Sequence, residues 1–159
     1  MTHMRWWVSI VGILIIAGAL GGCIEGGDDG DFFGGDCARF NEVEPNATSL
    51  TAQDLGDAFG DDCAIVAGSI SNAADVDNYA VLIRESLTLV VTLDHSPVVD
   101  FDVLIFDADT GQLIRDCGSG AVPEICAVPF SVRSRAIDID VVVLSEVGSG
   151  TYTLTLDAQ

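Results

Sequence analysis

The sequence contains no lysine: its six basic residues are all arginine, set against 25 Asp and Glu, for a formal net charge of −19. A chain so poor in positive charge has nothing with which to displace phosphate counterions, which excludes nucleic-acid binding. Attraction to anionic lipid headgroups fails on the same ground. Histidine is almost missing as well. After the N-terminal apolar run the one His is His95, between Asp94 and Ser96. Adjacent residues of an extended chain point to opposite sides, so these three do not make a catalytic triad. There is no G-x-S-x-G elbow, no Walker loop and no C-x-x-C pair of the kind that holds zinc. These absences predict that the protein is not an enzyme. A transmembrane-length run is lacking too. The apolar run near the start, Trp6–Leu20, has 15 residues and no charge, fewer than the ~20 that span a bilayer as a helix.

What is present begins with that short run. Arg5 precedes it, and Leu20-Gly21-Gly22-Cys23 ends it. The length is that of a signal-peptide h-region, and the ending resembles the lipobox of prokaryotic lipoproteins. That resemblance implies that residues 1–22 are a lipoprotein signal peptide and that Cys23 carries the lipid. The protein is then held at the cell envelope, on the outer membrane or the extracellular face of a membrane, because each buried CH2 of an acyl chain contributes ~0.8 kcal/mol. An uncleaved membrane anchor with a chance Cys is the plainer alternative. Residues 23–40, with EGGDDGDFFGGD inside them, are rich in Gly and Asp without apolar periodicity and read as a tether. Residues 41–159 form the domain.

From Phe40 onward, short alternating runs are separated by turn residues. They include Ile65–Ile70, Tyr79/Val81/Ile83, Leu87/Leu89/Val91/Leu93, Phe101/Val103/Ile105, Ile137/Ile139/Val141/Val143 and Tyr152/Leu154/Leu156. Six or more such strands at spacings of roughly ten residues predict an all-β sandwich or barrel. Ser49–Phe59 is poorly periodic and reads as a loop or single turn. Of the five cysteines, Cys37, Cys63, Cys117 and Cys126 lie beyond Cys23, and four cysteines allow three pairings. Local closure favours Cys117 with Cys126 across a Gly/Pro loop, leaving Cys37 with Cys63. Asp-x-Asp recurs at 29/31, 75/77, 100/102, 107/109 and 138/140. Most of these pairs read as the solvated face of an alternating strand. Acidity on this scale serves either a solubilising surface or life at high salt.

EPNATSLTAQDLG, AGSISNAADVDNYAVLI, LTLVVTL, VDFDVLIFDADTGQLI and GSGTYTLTL, in that order, resemble the bacterial pre-peptidase C-terminal (PPC) domain, related to the collagen-binding domains of clostridial collagenases. The resemblance covers about Asn41 to Leu156. It implies a jelly-roll-like antiparallel β-sandwich that is non-catalytic, an accessory module of secreted hydrolases which in some members binds calcium or polymeric ligands. For this chain it suggests a binding or accessory module for extracellular protein or polysaccharide. The alternative is a structural or assembly lipoprotein of the envelope, packing against a partner through a β-edge. A binding face would show clustered exposed aromatics, whereas an assembly protein would show an uncapped edge strand.

The candidate metal ligands are Glu42, Glu44, Asn46, Asp75 and Asp77. In an extended segment, positions 42, 44 and 46 face one way, and Pro45 discourages a helix. Four carboxylates and an amide suit Ca²⁺, which takes six to eight oxygens. The resemblance adds an E-x-E-x-N opening and an Asp cluster before an aromatic, here Tyr79. Ala47 departs from it, standing where the related domains offer a further ligand. Ordinary solvated carboxylates and turn formers are the competing reading.

The lipobox generates the first prediction. Membrane-extracted protein should begin at Cys23 with added acyl mass in intact-mass spectrometry, and Cys23→Ser should move the protein to the soluble fraction. A soluble, unmodified wild-type product would exclude the anchor.

Overall fold

The computed structural model describes residues 37–159. The leader, the lipidation residue Cys23 and most of the tether lie outside the described residues. Ten strands follow one another: β1 (Ala38–Asn41), β2 (Gln53–Ala58), β3 (Cys63–Ile70), β4 (Val76–Ile83), β5 (Thr88–His95), β6 (Asp100–Asp107), β7 (Gln112–Asp116), β8 (Glu124–Pro129), β9 (Ile137–Val147) and β10 (Gly150–Ala158). A single 3-10 turn over Ser49–Thr51 precedes β2. The strands form two five-stranded sheets, in the orders β1-β3-β10-β5-β8 and β2-β4-β9-β6-β7. The architecture is the expected all-β sandwich. Its ladders are antiparallel except at β1–β3 and β2–β4, which run parallel.

Alternation builds the core. In β5, Leu89, Val91 and Leu93 are buried, and in β10, Tyr152, Leu154 and Leu156 are. They meet Tyr79, Val81 and Ile83 of β4, Phe101, Val103 and Ile105 of β6, and Ile139, Val141 and Val143 of β9 in one apolar cluster. The Thr residues at the intervening positions of β10 face outward, since successive strand side chains point to opposite faces. Burying each large aliphatic side chain contributes ~1.5–3 kcal/mol, and the sum offsets the chain entropy of ordering the strands.

The structure departs from the sequence reading at several elements. β2 occupies most of the stretch read as a loop or turn. Only Leu55 and Ala58 of it are buried, and a register irregularity between Asp54 and Asp57 breaks its alternation. β1 takes in residues 38–40, which read as tether. β7 shows no inward face at all, being exposed at every position. β8 alternates, with Glu124, Cys126 and Val128 inward.

Two disulfides tie the edges down. Cys37–Cys63 sits immediately before the parallel β1–β3 ladder, whose first register pair is Ala38 with Ala64. Cys117–Cys126 joins the residue after β7 to β8 and so links an edge of each sheet. Loop-closure entropy predicts about 3.5 kcal/mol for the 26-residue separation and about 2.5 kcal/mol for the 9-residue one. Urea unfolding of Cys37→Ala/Cys63→Ala should therefore show the larger loss, and Cys117→Ala/Cys126→Ala the smaller. A reversed order would indicate that strain or packing, rather than chain entropy, governs these bonds.

Candidate functional site

The residues expected to hold a metal come from two places in the fold. Glu42 continues the β1–β3 ladder, its N–H donating to the Ala67 carbonyl at 3.0 Å. Its Oε2 accepts from the Ser69 N–H at 2.6 Å and the Ser69 hydroxyl at 3.3 Å. Two residues on, the Glu44–Pro45 peptide is cis, and Glu44 Oε2 accepts the Asn46 N–H at 2.9 Å. The Asn46 carbonyl then accepts both the backbone N–H and the side-chain amide of Asn78, each at 3.0 Å. This fixes the E-x-E-P-N segment onto the start of β4. Asp77 arrives on β4 itself, with the same inward parity as Tyr79, Val81 and Ile83.

Glu42, Glu44 and Asp77 each place a carboxylate oxygen within 4.8 Å of the other two. Asn46 and Asp77 are fully buried. With its nitrogen turned to the carboxylates, the Asn46 amide donates to Asp77 Oδ1 at 3.2 Å and Glu44 Oε2 at 3.0 Å. The same amide has an oxygen to offer a cation instead. Asp75 is not in the group. Its Oδ2 accepts the Ser71 N–H at 2.6 Å in the β3–β4 turn, so that carboxylate is engaged in turn formation and acts on Asp77 only through its charge.

Two features escape a reading of sequence spacing. The Tyr152 hydroxyl donates to Asp77 Oδ2 at 2.6 Å and in turn accepts from the Tyr79 hydroxyl. Gly68, the register partner of Tyr152, makes this arrangement possible, because a Cβ there would overlap the Tyr152 ring and hydroxyl. The available signal was the pairing of a glycine in one apolar strand with a tyrosine in another. The tyrosine hydroxyls are buried and beside carboxylates, so both titrate well above the ordinary tyrosine range.

Burial raises the Asp77 carboxyl to about 7, opposed by the Tyr152 hydrogen bond and reinforced by Glu42 and Asp75. Meanwhile Glu42 Oε1 is buried without any hydrogen-bond partner. Two carboxyls facing one another can hydrogen-bond only when one keeps a proton. A buried acceptor in this position costs about 1–3 kcal/mol, which a proton or a cation would recover. The donor set is all oxygen and suits a hard cation such as Ca²⁺ rather than zinc.

Beside the cluster lies an open groove of about 660 Å³, bordered by Glu42, Ser69, Asp94, Ser96, Thr151 and Thr153. Glu42 belongs to both the groove and the carboxylate group. His95 also reaches the groove, but its ring packs on Phe101 at 5.2 Å between centroids and its Nδ1 lies 3.0 Å from the Ser96 carbonyl.

A two-sheet β-sandwich with a carboxylate group of which Asp77 is buried is the class that fold and site define. No family model and no curated protein matches the chain. Among solved structures it is similar to the pre-peptidase C-terminal domain of collagenase from Bacillus anthracis. That likeness has 10% identity, covers 77% of this chain and 95% of that one, and has a TM-score of 0.49. It is also similar to PliG of Aeromonas hydrophila, a periplasmic inhibitor of g-type lysozyme, at 13% identity. There 78% of this chain and 100% of that one are covered, with a TM-score of 0.50. The likeness to PliG is one of fold.

The raised Asp77 carboxyl makes stability depend on pH. Between the unfolded value near 4 and the folded value of about 7, the folded state holds the extra proton. Stability is then fully present below about pH 4 and is lost as pH rises through 7. In EDTA, wild type should lose stability from pH 5 to pH 8, and Asp77→Asn should lose measurably less over that range in urea titrations. Parallel curves would contradict the assignment.

Proposed function

We propose that the protein is a lipid-anchored cell-envelope lipoprotein whose sandwich is a non-catalytic binding or accessory module, with Ca²⁺ held by Glu42, Glu44, Asn46 and Asp77. The observation that carries the reading is the double membership of Glu42, which lines the groove and belongs to the carboxylate group. The orphaned Glu42 Oε1 supports a cation there. The cation supplies positive charge to the cluster, and the chain's own residues orient the E-x-E-P-N segment against β4. Metal binding in this way makes the groove wall rigid.

The ligand class we favour is an extracellular protein. Stacking on sugar rings would call for exposed aromatics, and among the described residues the exposed large apolar side chains include a single aromatic, Phe59. The groove presents hydroxyls and carboxylates instead. PliG, which shares the fold, is an inhibitor of g-type lysozyme, so a secreted hydrolase is a sensible first partner to try.

Both criteria set by the sequence favour the second reading, an assembly lipoprotein that pairs through a sheet edge: the exposed aromatics among the described residues do not cluster, and an edge strand is uncovered. β7 is an edge strand, exposed throughout, and carries Leu113 and Ile114. An uncovered edge is a template for pairing with another strand.

Melting curves at fixed ionic strength, in EDTA and in millimolar CaCl2, test the metal. Ca²⁺ should raise Tm by several degrees, more at pH 8 than at pH 5.5 because a proton competes for Asp77. Glu44→Gln/Asp77→Asn should abolish the rise. Equal wild-type Tm values in the two buffers would remove the metal from this reading. A panel of secreted hydrolases, g-type lysozyme included, matrix proteins and polysaccharides tests the ligand. Binding lost on Thr153→Lys supports the groove, and binding lost only on Ile114→Lys supports the edge.

A further inference from the structure

Asp100 and Asp102 lie on β6, in one sheet, and Glu124 opens β8, in the other. Each offers a carboxylate oxygen within 4.8 Å of the other two. Glu124 is 1% exposed. Its Oε1 accepts the N–H groups of Ser119 at 2.8 Å and Gly120 at 3.0 Å. Its Oε2 is buried and has no hydrogen-bond partner. An acidic side chain on the inward face of a strand, half satisfied by backbone donors and half not, needs a reason to be there.

The loop leading to β8 supplies the local geometry. The Cys117 N–H donates to the Val103 carbonyl at 2.9 Å, which lays the loop against β6 beside Asp102. Gly118 follows, and a Cβ there would lie 2.7 Å from Asp102 Cγ and Oδ1, so any side chain would displace that carboxylate. Gly120 has φ +63°, and Val122–Pro123 is cis. The Cys117–Cys126 disulfide then holds the loop's two ends together. Burial pushes the Asp102 carboxyl up to about 6, and Glu124, Asp100, Glu146 and Asp116 push in the same direction. The ion pairs among the described residues, Arg84–Asp57 and Arg135–Asp109, lie elsewhere.

We propose that Asp100, Asp102 and Glu124 form a second site for a hard divalent cation of the calcium class, independent of the cluster at Glu42. Two oxygens bound to one Ca²⁺ at about 2.4 Å are at most about 4.8 Å apart, and these carboxylate oxygens lie within that distance of one another. With no nitrogen or sulfur donor in the set, zinc and copper are disfavoured. Asp100 and Asp102 are only half-buried, so solvent can reach the ion and complete its shell. Glu124 Oε2 gains its missing partner. The cation fastens β8 of one sheet to β6 of the other, next to the covalent Cys117–Cys126 link.

Calorimetric titration of the full chain in detergent micelles with CaCl2, and separately with MgCl2, decides the matter. Asp102→Asn/Glu124→Gln should bind one Ca²⁺ fewer than wild type. Glu42→Gln/Asp77→Asn should keep that equivalent, so that failure of either site is seen separately. Unchanged stoichiometry in Asp102→Asn/Glu124→Gln, or no Ca²⁺ bound by Glu42→Gln/Asp77→Asn in its folded state, would overturn the proposal. A second measurement does without the variants. Mn²⁺ added to ¹⁵N-labelled wild type should broaden the amide signals of Asp102, Ser119 and Gly120 at least tenfold more than those of Thr88 and Gln159. Sharp signals at saturating Mn²⁺ would equally overturn it.

Discussion

A dry layer between two sheets has to stop somewhere, and where it stops the strands must change from apolar to polar without leaving polar atoms stranded. This constraint shapes one end of the sandwich. Register places Tyr152 opposite both Gly68 and His95, and Glu124 opposite Leu93, in one sheet. In the other, Asp77 and Val103 both lie opposite Val143. Across this end Tyr152 meets Phe101 edge-on at 6.3 Å, and Phe101 meets His95. Beyond the aromatic row, Asp77 stands on one flank and Glu124 on the other. Both keep the inward parity of their strands, so the core is closed by carboxylates rather than opened to water.

That choice is costly in a chain without lysine. Arginine neutralises Asp57 and Asp109 at partly exposed positions, at 2.6 and 2.7 Å, where such pairs contribute little. The inward carboxylates are met instead by a tyrosine hydroxyl, an asparagine amide and backbone N–H groups. These supply some of the hydrogen bonds but none of the countercharge. The acidity of the surface and the acidity of the interior are thus separate matters. The first is spread over solvated strand faces, and the second comprises Asp77 and Glu124 in two small clusters and Asp140 of β9 apart from both.

Much of this was legible from residue order. β5 and β10 alternate apolar residues with threonine cleanly, and the central strands of both sheets follow the same rule, so the sandwich could be read directly. The edges could not. β7 buries nothing, β2 buries two side chains around an irregularity, and β1 is four residues held by a distant partner strand and a disulfide. β7 and β2 lack the two-sided pattern on which a periodicity argument depends, while β8, also an edge, alternates but opens with an inward glutamate. In the candidate site, Glu42, Glu44 and Asn46 lie together around a bend with a cis Glu44–Pro45 peptide, not along the extended segment that the i, i+2, i+4 spacing assumes, and Asp75 is taken by its own turn. The Asp100/Asp102 pair does lie on the less buried face of β6, as alternation suggests. Nothing local reveals that Glu124, 22 positions further on, folds back to it. The relevant hint was parity, since Glu124 keeps step with Cys126 and Val128.

The position of the Cys37–Cys63 bond has a mechanical consequence. β1 runs parallel to β3, and the bond lies just before their first paired residues. A pull applied to the chain upstream of Cys37 reaches that covalent link before it reaches any rung of the β1 ladder. The load passes across the sulfurs into β3, a strand flanked on both sides, and β1 itself carries almost none of it. Peeling the first strand, the usual way an edge fails under tension, is closed off while the bond is intact. Reduction would hand the whole load to four residues.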